Sequence, residues 1–296
     1  MKKILAMLLA LSMALALCAC GAKDNSADVG GSAQPSASQP SDGQSAEPSD
    51  NGGSDSDTAY VQNKGTLVVG VTYFDPMDYK AEGSDEWIGF DADLAKAFAE
   101  SLGVTAEFVE ITWDYKVEEL ESSAIDCVWN GMTLTDEVKS AMGTSNAYCT
   151  NYQVLVYPAE KAAGFEGLTS LEGLNVAVES GSAGEDAAEA LGASTVPVQS
   201  QASALMEVSA GTSDCAVIDV LMAAAMTGEG TSYNNLAFSV NLNDAQGLDS
   251  EEYGVGFRKG SDLVAAFNQF WADKVADGTV EQIAETYGLQ DAVILN

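Results

Sequence analysis

The chain has 296 residues, of which 45 are acidic and 12 are basic, so its formal charge at neutral pH is −33. Such a charge repels polyanions and excludes nucleic acid and anionic lipid as favoured partners, whereas it suits a solvated extracellular surface. The chain contains no histidine, the commonest metal ligand and general base. We therefore expect no metal site, no cofactor and no Ser-His catalysis.

The first twenty residues have the pattern of an export leader that ends in a lipid-attachment site. Two lysines follow the initiating Met, and an apolar segment, too short to span a bilayer comfortably, covers residues 4–17. Leu17 lies three residues before Cys20, and Ala19 lies immediately before it. We predict a lipoprotein signal peptide over residues 1–19 and lipid on Cys20; the alternative is an ordinary secretory signal with Cys20 unmodified. Either places the mature protein outside the cytoplasm, and the lipid would hold it on the cell membrane.

The next segment has the composition of a tether. Across residues 21–57, Val29 is the only bulky aliphatic residue, and Ser, Gly, Ala, Pro, Asp and Gln make up almost all of the rest. No hydrophobic core can form from such a composition. We predict a disordered linker over residues 20–59, with a mean reach of about 30–36 Å.

Beyond the linker, short apolar β-branched segments alternate with amphipathic helical segments, which is typical of an α/β domain with mostly parallel strands. The first predicted unit contains strand 66–71, helix 90–102, strand 105–111, helix 115–122 and strand 126–129. After an apolar segment at 153–157 the order restarts with strand 175–178, helix 185–191, strand 194–198, helix 202–210 and strand 214–218. Residues 261–287 are predicted to be mainly helical. Two similar α/β units follow from this pattern.

Three cysteines lie beyond the linker, and three cannot all pair within one chain. Cys127 and Cys215 lie in apolar segments, where Cys usually behaves as a small buried hydrophobic residue, and Cys149 is the third. We expect no essential disulfide.

Nine short motifs occur in a fixed order along the chain. They are GTLVVGV at 65–71, GFDADLA at 89–95, WD at 113–114, ID at 125–126, GMTLT at 131–135, SGS at 180–182, ID at 218–219, YGVGFRKG at 253–260 and DGT at 277–279. In this order and spacing the chain resembles the extracellular solute-binding proteins of polar amino acid ABC transporters, the family 3 solute-binding proteins. The resemblance implies a two-lobed α/β fold of the type II periplasmic-binding class, with two hinge crossings and closure on a ligand.

The resemblance also implies a domain organisation and a function. It places a solute-binding domain at residues 60–296, with lobe 1 at 60–152 and 253–296 and lobe 2 at 153–252. Together with the leader and linker, it implies a lipid-anchored binding component that delivers a polar amino acid or related small amine to an ABC permease. We expect a monomer and no enzymatic activity.

Ligand contacts are implied residue by residue. Gly131 and Thr133 match positions that offer a backbone group and a hydroxyl to the ligand, and Ser182 lies in the matching SGS motif. Asp219 matches the carboxylate that holds the ligand's ammonium group, which needs a full countercharge once it is desolvated. Two alternatives stay open: Asp219 as a helix N-cap, and Thr133 as a strand-end hydroxyl bonded to the backbone.

The sequence departs from the family where the ligand's carboxylate is recognised. Val138 occupies the position at which family members usually place a clamping Arg, whose loss would cost about 2–5 kcal/mol of affinity. Either Lys139 reaches the ligand, backbone amides suffice, or the ligand has no such carboxylate. Glu179 stands where some relatives have a basic side chain. Together with Asp219 it favours a cationic or amine-bearing ligand, unless Glu179 points into solvent.

Aromatic residues near the expected cleft suit an amine, because cation–π contacts contribute roughly 0.5–2 kcal/mol. We expect Tyr73 or Phe74 to face the ligand, and Trp113 and Trp129 to lie in the core. Two other functions stay open. One is a sensor that passes its bound state to a partner protein; the other is an enzyme that uses carboxylates such as Glu179 for proton transfer.

Overall fold

The computed structural model describes residues 56–243 and 250–295. The predicted signal peptide, the lipid site at Cys20 and the linker up to residue 55 lie outside the described residues. Within the described ranges, no helix is both long and apolar enough to cross a membrane.

Helices and strands alternate along the chain. The strands are β1 (Thr66–Val71), β2 (Tyr79–Lys80), β3 (Trp87–Ile88), β4 (Thr105–Glu110), β5 (Cys127–Thr133), β6 (Gly143–Thr144), β7 (Cys149–Asn151), β8 (Gln153–Pro158), β9 (Asn175–Glu179), β10 (Ser194–Val198), β11 (Cys215–Asp219), β12 (Leu236–Asn241) and β13 (Glu251–Phe257). The α-helices are α1 (Asp57–Lys64), α2 (Phe90–Ser101), α3 (Lys116–Glu121), α4 (Asp136–Ala141), α5 (Ala183–Ala190), α6 (Gln201–Ala210), α7 (Val220–Met226), α8 (Leu263–Ala276) and α9 (Thr279–Tyr287). Short 3-10 helices cover Trp113–Tyr115 and Ala159–Gly164. Every segment predicted as a strand or helix contains one of that type.

Two larger sheets organise these elements. The first has the strand order β4-β1-β5-β13-β6, with β7 also paired to β13, and the second has the order β10-β9-β11-β8-β12. In each, three strands are parallel, namely β4, β1 and β5 or β10, β9 and β11. The remaining neighbours are antiparallel. The prediction of mostly parallel strands therefore holds only for each group of three.

The antiparallel strands arise where the chain passes from one sheet to the other. β7 belongs to the first sheet and β8 to the second, and only Tyr152 separates them. β12 belongs to the second sheet, whereas β13 returns to the first and pairs with β7 from Glu251 onward. The predicted second lobe ended at residue 252, so the sheet boundary lies two residues earlier. That the two halves move as separate lobes stays a prediction.

The core explains why the predicted elements form. The strands β5 and β11 are buried along almost their whole length, as expected for central strands covered on both faces. Helix α2 buries Leu94 and Phe98 on one face, and Phe98 makes edge contacts with Trp129 and Phe267. Cys127 and Cys215 are fully buried, as predicted.

The predicted linker boundary at residue 59 is wrong, because helix α1 begins at Asp57. Ser56 caps this helix by accepting a hydrogen bond from the amide of Ala59. The Asp57 carboxylate accepts bonds from the Arg258 guanidinium at 3.0–3.1 Å, and Val61 is fully buried. Composition alone could not reveal these contacts, since Arg258 lies some two hundred residues along the chain.

Candidate ligand-binding site

A cavity of about 450 Å³ is lined by residues from both sheets. Thr133 is the last residue of β5, Glu179 the last of β9 and Asp219 the last of β11. In open α/β sheets, ligands bind outside the carboxyl ends of the parallel strands, which is where all three residues lie. The fold thus brings together five of the predicted ligand contacts: Gly131, Thr133, Glu179, Ser182 and Asp219 all line the cavity.

Charge on the cavity wall is strongly negative. Among the described lining residues, the acidic ones are Asp114, Glu118, Glu137, Glu179, Asp186 and Asp219, and the basic one is Lys116. A wall with this charge attracts a cation and repels an anion.

Asp219 is 5% exposed, and amide side chains surround its carboxylate. It accepts hydrogen bonds from Asn151, from Gln153 at 2.8 Å and from Gln201. Burial, followed by the nearby negative charge of Glu251, raises the pKa of Asp219 to about 7. It holds the N-cap position of α7 but makes no side-chain capping bond, so the N-cap alternative does not account for its carboxylate.

Glu179 is 3% exposed, which rules out the alternative that it points into solvent. One of its oxygens, Oε1, is buried and has no hydrogen-bond partner among the described residues. Burial, assisted by the charge of Asp219, raises the pKa of Glu179 to about 8. A buried carboxylate oxygen without a donor can accept a hydrogen bond from a ligand.

Gly131 and Thr133 are held by other carboxylates. The Gly131 amide donates to Asp91 Oδ2 at 2.7 Å, so the group it has left for a ligand is its carbonyl. The Thr133 hydroxyl donates to Glu251 Oε2 at 3.1 Å, a side chain and not the backbone, so the backbone-bonded alternative is wrong. Ser182 caps α5 by accepting a bond from the Glu185 amide at 3.2 Å.

The expectation that Tyr73 or Phe74 faces the ligand is not met in the structure. Phe74 is 2% exposed and makes an edge contact with the ring of Tyr253, while the Tyr73 hydroxyl donates to the carbonyl of Lys80. Neither lines the cavity. Trp113 lies in a hydrophobic core cluster, as predicted, and also lines the cavity, whereas Trp129 is fully buried as predicted. The shape of the loop after β1, which turns Phe74 inward, was not readable from the sequence.

Val138 lines the cavity and belongs to an apolar cluster that also includes Met132 and Met142. It is 7% exposed. Lys139, the next residue, lines a neighbouring depression and not this cavity. The suggestion that Lys139 reaches in to replace an Arg therefore finds no support in this geometry.

Sequence reasoning missed several residues of the site. Gln153 and Gln201 donate to Asp219, and Gln153 and Asn151 also donate to Glu251 at 2.9 and 3.0 Å. These residues begin or end strands and helices, as Asp219 does. That position was the one signal in the sequence that could have marked them as site residues. Their mutual contact depends on the crossing between the sheets.

Gly131 itself provides a test of how rigidly β5 is held. Its φ is +55°, and an added Cβ would lie 2.6 Å from Phe74 Cε1. We expect Gly131→Ala to lower the free energy of unfolding by about 2–4 kcal/mol, from the left-handed backbone together with overpacking. Gly103→Ala is the matched control, because Gly103 has φ +78° with open space around it and should lose only about 1 kcal/mol. Urea unfolding measures both; equal losses would contradict the packing argument.

Comparison with known proteins adds a family relationship. Residues 67–290 match the family model of bacterial extracellular solute-binding proteins, family 3. The arginine-binding extracellular protein ArtP of Bacillus subtilis (strain 168) is 30% identical over 81% of this chain and 90% of its own length. A crystal structure of a mutant of ArgBP from T. maritima superposes with a TM-score of 0.69 at 28% identity, covering 78% of this chain and 98% of that one. The crystal structure of an ABC uptake transporter substrate-binding protein from Streptococcus pneumoniae, with bound histidine, superposes with a TM-score of 0.68 at 28% identity. It covers 79% of this chain and 96% of that one. These similarities confirm the predicted two-lobed type II periplasmic-binding fold.

Proposed function

Because the chain belongs to the bacterial extracellular solute-binding proteins of family 3, we propose that it is the lipid-anchored, extracytoplasmic binding component of an ABC importer. Its ligand is a polar amino acid or a related small amine. The anchor is a lipid on Cys20, and a lobe built on the first sheet closes against a lobe built on the second. The protein acts as a monomer and hands its ligand to a permease.

One observation supports this ligand class above the others. Two buried carboxylates, Glu179 and Asp219, end neighbouring parallel strands and line the same cavity. A desolvated ammonium or guanidinium group needs a full countercharge and several acceptors, and these two side chains supply both. The relatives named for arginine and histidine are consistent with a ligand that carries nitrogen cations.

The apolar cavity wall at Val138 affects how a carboxylate at the other end of the ligand could be recognised. An apolar side chain there offers no hydrogen bond to a carboxylate, and among the described lining residues the ammonium of Lys116 is the only cationic group. Amines that lack a carboxylate therefore belong in the test alongside amino acids.

The test is a thermal-shift panel on the purified protein. We expect basic amino acids or their decarboxylated amines to raise the melting temperature, and glutamate and aspartate to leave it unchanged. At a ligand concentration of about 1,000 times Kd, linkage gives about 4 kcal/mol, which is roughly 10 °C for a domain of this size. Stabilisation by acidic amino acids alone, or by none of the panel, would contradict the proposal. Uptake of the stabilising ligand by cells with and without the protein separates transport from sensing.

A further inference from the structure

Lys116 is the one cationic side chain among the described residues that line the cavity. It begins helix α3, is 9% exposed, and was not singled out from the sequence. Its ammonium donates to the carbonyl of Trp113 at 3.3 Å and to the carbonyl of Gly181 at 3.0 Å, and it lies 5.0 Å from the centroid of the Trp113 ring. A buried lysine held in this way has a fixed position in the site.

The bond to Gly181 crosses from one half of the fold to the other. Lys116 follows β4 of the first sheet, whereas Gly181 follows β9 of the second. A second close approach lies beside it, since a Cβ built on Gly181 would be 2.8 Å from the Cα of Asp114. In this structure the Lys116 ammonium therefore bridges the two halves of the fold.

Carboxylates act electrostatically on this ammonium, in order of effect those of Glu179, Asp114, Glu137 and Asp186. Burial lowers the pKa of Lys116 from its usual range, and these carboxylates oppose that change. Glu179 and Lys116 therefore both act on a cation that enters the cavity, the carboxylate attracting it and the ammonium repelling it.

We propose that Lys116 is a specificity-determining residue: its ammonium bridges the two halves of the fold and, as the one cation among the described lining residues, makes the cavity favour a ligand of net charge +1 over one of charge +2. Because Lys116 is the one cation among the described lining residues, its ammonium repels a ligand of charge +2 more strongly than a ligand of charge +1. The preference for a ligand of charge +1 rests on the proposed function, whereas the hydrogen bond between Lys116 and Gly181 does not.

The test replaces Lys116 by Met, which has a similar volume and no charge. The probes are lysine and arginine, of net charge +1, and their decarboxylated forms cadaverine and agmatine, of charge +2, at pH 8. In Lys116→Met we expect the ratio of the affinity for the dication to the affinity for the matching monocation to rise at least tenfold. Lys139→Met removes the same charge from the neighbouring depression and should leave the ratio unchanged. An unchanged ratio in Lys116→Met overturns the proposal.

A second variant and a second measurement keep the result interpretable. Lys116→Gln retains a donor for the Gly181 carbonyl without the charge, so it should shift the ratio in the same direction if charge is the cause. Small-angle X-ray scattering of the ligand-free protein should show a larger radius of gyration for Lys116→Met than for the unsubstituted protein; equal radii overturn the bridge. If no cation binds any variant while the radii differ, the proposed function fails and the bridge stands.

Discussion

Replacing Asp219 by Asn is expected to weaken the binding of a cationic ligand by about 30-fold to about 5,000-fold. This range corresponds to the 2–5 kcal/mol lost when one partner of a buried charge pair is removed. Asp219 is isosteric with Asn, so the shape of the cavity is retained while the countercharge is lost. Isothermal titration calorimetry with arginine or lysine measures the change.

The stability of the same variant should depend less on pH than that of the unsubstituted protein. Since burial raises the pKa of Asp219 to about 7, ionising this carboxyl at pH 8 opposes folding of the ligand-free protein. Asn cannot ionise, so the melting temperature of the ligand-free variant should fall less between pH 6 and pH 8 than that of the unsubstituted protein. Glu189→Gln is the matched control, because Glu189 lies exposed on α5 in the same half of the fold. Equal affinities for the Asp219 and Glu189 variants would contradict a role for Asp219 in holding the ligand.

Ligand affinity is expected to rise steeply between pH 6 and pH 9. Burial raises the pKa of Glu179 to about 8 and that of Asp219 to about 7, so both are largely protonated at pH 6 and largely ionised at pH 9. A cation binds the ionised forms, and if both are required the affinity changes by up to roughly 10³. Arginine is the suitable probe because its guanidinium stays charged throughout. A flat profile would contradict the assignment of these carboxylates to the ligand.

The ligand-free protein should show the opposite trend. A carboxyl whose folded pKa is raised contributes stability that is fully present below its unfolded pKa and is lost as the pH rises through its folded pKa. For Glu179 and Asp219 the window runs from about pH 4 to about pH 8. Asp78 and Asp91, which lie behind the site, have raised pKa values for the same reason, burial, and add to this loss. Glu179→Gln should flatten the affinity profile near pH 8, and melting curves with and without arginine report both trends.

Much of the fold was predictable because it depends on local pattern. The strand at Thr66–Val71 follows from a short apolar β-branched segment and the helix that begins at Phe90 from helical spacing, and both occur where they were expected. The family resemblance supplied Gly131, Thr133, Glu179, Ser182 and Asp219, and all five line one cavity. Thr133, Glu179 and Asp219 end strands and Ser182 caps a helix, which are positions that a sequence marks clearly.

Other parts of the site depend on contacts between distant segments. Asn151 and Gln153 reach Asp219 only because the chain crosses between the sheets at Tyr152. Phe74 and Trp113 are both buried in the core, but only Trp113 also lines the cavity.

Composition, charge and the order of motifs were therefore sufficient to assign the α/β class, the family and the strand-end carboxylates, since each is read from short segments and from their order along the chain. The tertiary structure alone decided that Glu179 is buried, that Lys116 bridges to Gly181 and that helix α1 starts within the predicted linker. Burial and long-range hydrogen bonds arise from the packing of segments that lie far apart in the chain, and no local pattern specifies that packing.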